Sequence, residues 1–156
     1  MRFRASFPFF VPLSSLRRRD LVVMKVCVGA FLFHEGRVLL GLRSQERVSY
    51  PGVCDAIGGH VELHESIRAA LVRELAEEIQ VTPIEFVELA TVSEVQPALN
   101  GEATYHIFLV TRWSGDPAIR GDEHSEIRWF SISEAMNVTL AHPGYVDILR
   151  LIARSG

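Results

Sequence analysis

The sequence predicts an α/β fold, a mixed β-sheet covered by helices on both faces. Three observations carry that expectation. Apolar runs rich in strand formers alternate with helical patterns along the chain. Tight-turn signals, His34-Glu35-Gly36 and Asn100-Gly101, join neighbouring strand-like runs as hairpins, so part of the sheet should be antiparallel. The 156 residues, 48% hydrophobic and 22% charged, suit one ordinary globular domain with its own core.

The elements follow in order. Met24 to Phe33 (MKVCVGAFLF) is a nearly continuous apolar run, and Arg37 to Leu42 (RVLLGL) answers it across the turn. Ser44 to Val53 is polar, holds Pro51 and Gly52, and reads as a surface loop, where binding residues gather. Asp55 to Leu63 (DAIGGHVEL) leads into a helix over Glu65 to Ile79, with Pro83 expected to enforce its end. A strand is expected over Ile84 to Val95, then the Asn100-Gly101 hairpin and a strand over Ala103 to Trp113. The loop Ser114 to Glu126 precedes a short strand, Ile127 to Ile132, a small helix begun by Ser133, and an amphipathic helix over Gly144 to Arg154.

Composition excludes several classes. A net charge of −3 argues against a nucleic-acid partner, because clustered Lys and Arg carry backbone binding. No apolar run approaches the roughly 20 residues of a membrane helix. Cys27 and Cys54 form neither a disulfide framework nor a metal-ligand spacing, which points to free thiols in a reducing compartment, the cytoplasm. Residues 1–23 mimic a signal peptide, but the patch Phe7 to Leu13 is short, holds Pro8 and Pro12, and runs into Arg17, Arg18 and Arg19 without a cleavage site. They are expected to form a loosely ordered extension ahead of a domain over 24–156. That domain is expected to be a monomer or a homodimer.

The chemistry concentrates in Arg73 to Val81, RELAEEIQV. Glu74, Glu77 and Glu78 crowd one helix, where like charges three or four apart repel by a few tenths of a kcal/mol per pair. On the helical projection Glu74 and Glu78 continue the line of Ile67, Ala70 and Leu71, so two carboxylates point where the helix should bury itself. Arg68 also falls in that apolar arc. Carboxylates at a partly buried edge must hold raised pKa values or find cations, and Arg73 alone cannot serve three. A divalent metal can, and oxygen ligands favour Mg²⁺ or Mn²⁺. Gly58-Gly59, just ahead, lets a carbonyl approach a ligand closely.

Gly59, Glu65, Arg73, Glu74, Leu75, Glu77, Glu78 and Val81 together resemble the signature of the Nudix hydrolase family, and the order of elements resembles its α/β/α sandwich. Gln80 departs, standing where the family has glycine, and implies a left-handed residue or a different helix exit. The resemblance implies a small-molecule nucleotide substrate cleaved at its pyrophosphate with Mg²⁺ or Mn²⁺. It implies Glu74, Glu77 and Glu78 as metal ligands with the Gly58 carbonyl, Arg73 orienting the carboxylates, and Glu65 bracing Arg73. Outside the signature, Glu123 is expected to join the catalytic group and Glu126 to contact substrate. Arg43 resembles an arginine that several members use on phosphate, and His142 lies where some recognise the base.

Nucleoside triphosphates, oxidised ones included, lead among the substrates, with nucleotide sugars and dinucleotide polyphosphates next. Ile57, where a proline would precede the glycine pair, counsels against the oxidised-guanine subgroup. Two other readings stay open. A non-catalytic nucleotide-binding domain would usually lack some of the carboxylates, and an isopentenyl-diphosphate isomerase would need a cysteine where Gly58 stands.

Overall fold

The computed structural model describes residues 23–155, so the extension expected over 1–23 lies, apart from Val23, outside the described residues. β1 (Lys25–His34) turns through Glu35 and Gly36, at φ 49° and 76°, into β2 (Arg37–Arg43). After the loop come the short β3 (Cys54–Asp55) and β4 (Ile57–His60), then α1 (Ile67–Ile79). β5 (Thr82–Ser93), the single turn α2 (Pro97–Asn100) and β6 (Ala103–Ser114) form the next unit. β7 (His124–Ser131), α3 (Ile132–Asn137) and α4 (Tyr145–Ser155) close the chain.

The sheet is mixed. Its strand order is β3-β2-β1-β6-β5, with β4 also on β1 and β7 also on β2. β1 and β6 run parallel over Lys25 to Leu32, while β1 meets β2 and β4 antiparallel. One edge of β1 is divided: Leu32 to His34 pair with β2, and Cys27 to Ala30 pair with β4. That division separates β2 from β4 near the first half of β1.

Period-two alternation sends the strands' side chains into two cores. Phe31, Val38, Leu40, Ile107 and Leu109 pack with Ala135 of α3 and Ile148, Leu149 and Ile152 of α4. Ala30, Leu32, Leu39, Phe108 and Val110 pack on the other side with Ala70, Leu71, Leu75 and Ile79 of α1. Helices therefore cover both faces, as the sequence predicts.

Several boundaries differ, for local reasons. Pro83 does not end α1: it already pairs with Trp113 in β5, an edge strand, where a missing N–H is tolerated. Gln80 ends the helix instead, at φ 62° and ψ 30°. Asn100-Gly101 is not a two-residue hairpin turn, because Pro97, preset for a first helical position, starts a helical turn that Gly101 leaves at φ 79°. β7 begins at His124 rather than Ile127, since pairing with β2 extends to Arg43 past an irregularity. Ser131, not Ser133, caps α3, accepting the Glu134 N–H at 3.1 Å while the Glu134 carboxylate accepts the Ser131 N–H at 2.8 Å.

Candidate active site

α1 positions the acidic residues because its ends are held. Ser66 caps its start, accepting the Ala69 N–H at 3.1 Å. At its C-terminus the carbonyls of Glu78 and Ile79, which lack helical partners, accept the N–H groups of Arg120 at 2.9 Å and Ala118 at 3.0 Å. Those bonds lay the 115–121 loop along the helix end. There Gly121 stands so close to Glu78 that a Cβ would come 3.0 Å from its carboxylate.

Glu74 is 7% exposed and Glu78 partly buried, whereas Glu77 faces solvent. The Glu74 carboxylate lies against Gly59, where a Cβ would stand 2.4 Å away and displace it. Burial pushes the Glu74 carboxyl up. Burial, then the charges of Glu123, Glu74 and Asp122, push Glu78 up to about 7. Glu78 Oε2 lies 3.9 Å from Nδ1 of His124, a buried imidazole whose other nitrogen has no partner and whose pKa burial lowers.

Arg73 commits all five of its N–H donors. Nε and Nη2 grip the Glu65 carboxylate at 2.8 and 2.9 Å, Nη2 also reaches the His60 carbonyl at 2.9 Å, and Nη1 reaches Glu74 at 2.8 Å and Glu77 at 3.1 Å. With that guanidinium and the Glu62 N–H beside it, Glu65 is held down at about 2. Arg73 thus ties β4 and the start of α1 to two of the carboxylates.

Beside this group opens a cleft of about 440 Å³, a size that suits a small ligand. Gly58, Gly59 and Glu123 line it, as do Cys27, Tyr50, Asp55, Glu94, Tyr105, His142 and Tyr145. Arg43 lines it too, but is 8% exposed and mostly engaged. Its Nε and Nη2 hold the Ser49 carbonyl at 3.0 and 2.8 Å, and its Nη1 holds Asp55 at 3.2 Å and Glu123 at 3.0 Å. The guanidinium is therefore a strut between the 44–53 loop, β3 and Glu123, with one N–H uncommitted for a phosphate.

His142 also lines the cleft, with Nε2 on the Ser93 carbonyl at 2.9 Å and Nδ1 accepting the Gly144 N–H at 2.9 Å; only its ring face is left for a base. Glu126 does not reach the cleft. It accepts two N–H groups of Arg128, at 2.9 and 2.7 Å, beside a separate hollow under β2 and β7. Glu126 pairs with Leu42 in the β2–β7 ladder, next to the irregularity at Leu42/Arg43, and its side chain lies on the side of that separate hollow.

Sequence reasoning missed Asp55, Glu94, Tyr105, His124 and Tyr145. Asp55 is a half-buried carboxylate that accepts the Tyr145 hydroxyl at 2.9 Å, and desolvation raises its pKa. No local pattern marks Tyr105, His124 or Tyr145, because each reaches the site through sheet pairing or a distant helix. Two acidic residues inside otherwise apolar stretches, Asp55 and Glu94, were the available signal.

A mixed sheet between helical layers, with helix-borne carboxylates beside a cleft, is an arrangement shared with the Nudix-type hydrolases, enzymes that act on acid anhydrides in phosphorus-containing compounds. The chain belongs to that family: the NUDIX domain model matches residues 23–152. It is similar to the CTP pyrophosphohydrolase of Escherichia coli (strain K12), 32% identical over 125 residues that span 78% of this chain and 86% of that one. It resembles the solution structure of the E. coli ORF135 protein at 28% identity and TM-score 0.68, over 92% of this chain and 94% of the other. The NUDIX domain of Shewanella oneidensis NrtR, complexed with ADP ribose, shares the fold at TM-score 0.72 and 21% identity, over 92% and 95% of the two chains.

Proposed function

We propose that this protein is a Mg²⁺- or Mn²⁺-dependent nucleotide pyrophosphohydrolase that cleaves nucleoside triphosphates by attack of water on phosphorus. The carrying observation is the inward pair Glu74 and Glu78, set between Gly59 and Gly121 at the rim of a nucleotide-sized cleft. The likeness to a CTP pyrophosphohydrolase supports the triphosphate class. The two free, buried cysteines agree with a reducing compartment, and no helix among the described residues is long and apolar enough to cross a membrane.

The donor set fits a hard divalent ion: carboxylates and a glycine carbonyl, with Glu78 left facing other anions. Among the described residues no three acidic, His or Cys side chains converge as they stand, since Arg73 draws Glu77 outward. Glu77 is exposed, and rotation of its side chain would let it join Glu74 and Glu78. Glu74, Glu77 and Glu78 with the Gly58 carbonyl would hold the ion, which when bound neutralises phosphate oxygens and lowers the pKa of water.

This chain's own groups supply the rest. Arg73, braced by Glu65, fixes the carboxylate rotamers. Glu123, steered by Arg43 and lining the cleft, is the group placed to take a proton from the attacking water. The ring face of His142 offers a stacking surface for a base. Glu77→Gln should lower kcat on the order of a hundredfold or more, and EDTA should abolish turnover. Assayed by chromatography over a nucleotide panel, full activity in the variant or in EDTA would falsify this reading.

A further inference from the structure

Two polar groups of the cleft wall have no part in the hydrolysis as described. Asp55 of β3 and Tyr145, the first residue of α4, line the cleft together with Glu123. Tyr145 cannot carry its hydroxyl far. It is 4% exposed, Phe31 packs edge-on against its ring at 5.3 Å, and the His142 ring lies 5.6 Å away. Asp55 is also held in place, because its neighbour Cys54 donates its N–H to the Thr139 carbonyl at 2.9 Å and accepts the Ala141 N–H at 2.8 Å. Those bonds stitch the segment ahead of α4 to β3, and the Tyr145 hydroxyl meets Asp55 Oδ1 at 2.9 Å.

From Asp55 the contacts run on to the proposed base. Asp55 Oδ2 accepts from Arg43 Nη1 at 3.2 Å, and Glu123 Oε1 accepts from the same nitrogen at 3.0 Å. Nε and Nη2 both hold the Ser49 carbonyl, so Nη1 is the nitrogen through which Arg43 meets either acid. Arg43 is buried and both acids are half-buried, which keeps water from replacing these partners freely.

Two acids therefore share one nitrogen, and the division decides what Glu123 can do. An arginine with a single carboxylate partner tends to close on it as a two-pronged fork that occupies both oxygens. Glu123 would then lose the lone pair that receives a proton from water. With Asp55 holding half of Nη1, Glu123 is gripped on Oε1, and among the described residues no donor sits on Oε2. A desolvated carboxylate keeps its half only while its charge is supported. Desolvation raises Asp55 and the nearby Glu123 adds to the rise, while the Arg43 guanidinium, the Tyr145 hydroxyl and the Ala56 N–H oppose it. Without the hydroxyl, Asp55 would turn away or take up a proton, and either change releases Nη1 to Glu123.

We propose that Tyr145 and Asp55 are positioning residues: through Arg43 they hold Glu123 with one oxygen open to the attacking water. The proposal rests on the assignment of Glu123 as the base and deepens it.

Tyr145→Phe isolates the hydroxyl, because the ring and its packing stay. With Mg²⁺ and a nucleoside triphosphate, that variant should lose about tenfold in kcat while KM stays within about twofold of wild type. Made in Glu123→Gln, the same change should cost no more than about twofold, since the group it positions is already gone. A hydroxyl that serves packing alone would leave kcat untouched or lower it by the same factor in both backgrounds, and either result overturns the proposal. Crystal structures of the metal-free wild type and Tyr145→Phe read the geometry apart from turnover. In the variant Arg43 should leave Asp55 and grip both oxygens of Glu123; an Arg43 that keeps its place overturns the link. A protein that hydrolyses nothing across the nucleotide panel, yet in which Arg43 moves this way, would sink the enzyme reading and leave the link standing. Should Tyr145→Phe fail to fold, Asp55→Asn carries both tests with the same expected outcomes.

Discussion

Gln80 shows what one residue costs at a helix exit. Its left-handed backbone, φ 62°, strains a non-glycine residue by roughly 1–2 kcal/mol, and its exposed side chain recovers only a long 3.4 Å contact with the Ala118 carbonyl. Glycine there would relieve the strain but lose roughly 0.5–1 kcal/mol of extra chain entropy. Gln80→Gly should therefore stabilise the fold by up to about 1 kcal/mol, raising the melting temperature by roughly 2–4 °C. The turnover rate should not change, since Gln80 does not line the cleft. Calorimetry beside a kcat measurement decides it; a lower melting temperature would show that the 3.4 Å contact outweighs the strain. The departure from the family pattern could be read as a conformational question in sequence, but only coordinates decide between strain and a reshaped exit.

At the scale of elements, the adjacent glycines of β4 face different neighbours and should fail differently. A Cβ on Gly58 would sit 1.9 Å from the Val28 carbonyl, backbone that cannot move without breaking the β1–β4 ladder. A Cβ on Gly59 would meet the Glu74 side chain, which can rotate. Gly58→Ala should cost about 3 kcal/mol or more and unfold readily in urea. Gly59→Ala should keep a cooperative melt within a few degrees of wild type while losing most activity, because Glu74 is displaced. Equal melting temperatures for the two variants would refute this division. Legibility followed the same line between local and distant. The inward line of Glu74 and Glu78, the strands β1, β2 and β6 and the helix α4 were readable from periodicity, which depends on neighbours in sequence. The sharing of β1's edge by β2 and β4, which opens the cleft, depends on register between distant segments. So does the arrival of Asp55, Glu94 and His124, and Glu126 was misplaced because the start of β7 was read three residues late.

For the whole molecule, the acidic group links folding to pH and, on the proposed metal assignment, to divalent ions. Glu65, lowered from 4.5 to about 2, contributes stability that is present above its unfolded value and lost as pH falls through about 2. Glu78, raised from 4.5 to about 7, does the opposite: its contribution is full below about 4.5 and disappears as pH rises through about 7. Glu74, also raised, adds in the same sense as Glu78. Without a metal, the protein should thus be most stable, as far as these groups decide, near pH 4–5 and weaken toward pH 8. The rise from 4.5 to about 7 corresponds to roughly 3 kcal/mol at most, and water reaching the partly exposed Glu78 reduces that to on the order of 1–2 kcal/mol. Melting in EDTA should accordingly fall by a few degrees between about pH 5 and 8. On the proposed metal assignment Mg²⁺ held by the ionised carboxylates would compete with protons, so millimolar Mg²⁺ should raise the melting temperature more at pH 8 than at pH 5 and flatten the slope. Scanning fluorimetry across that range, with and without Mg²⁺, tests both halves. A melting temperature in EDTA that climbs with pH, or a Mg²⁺ shift equal at both ends, would mean that Glu74 and Glu78 are not where the ion and the proton compete.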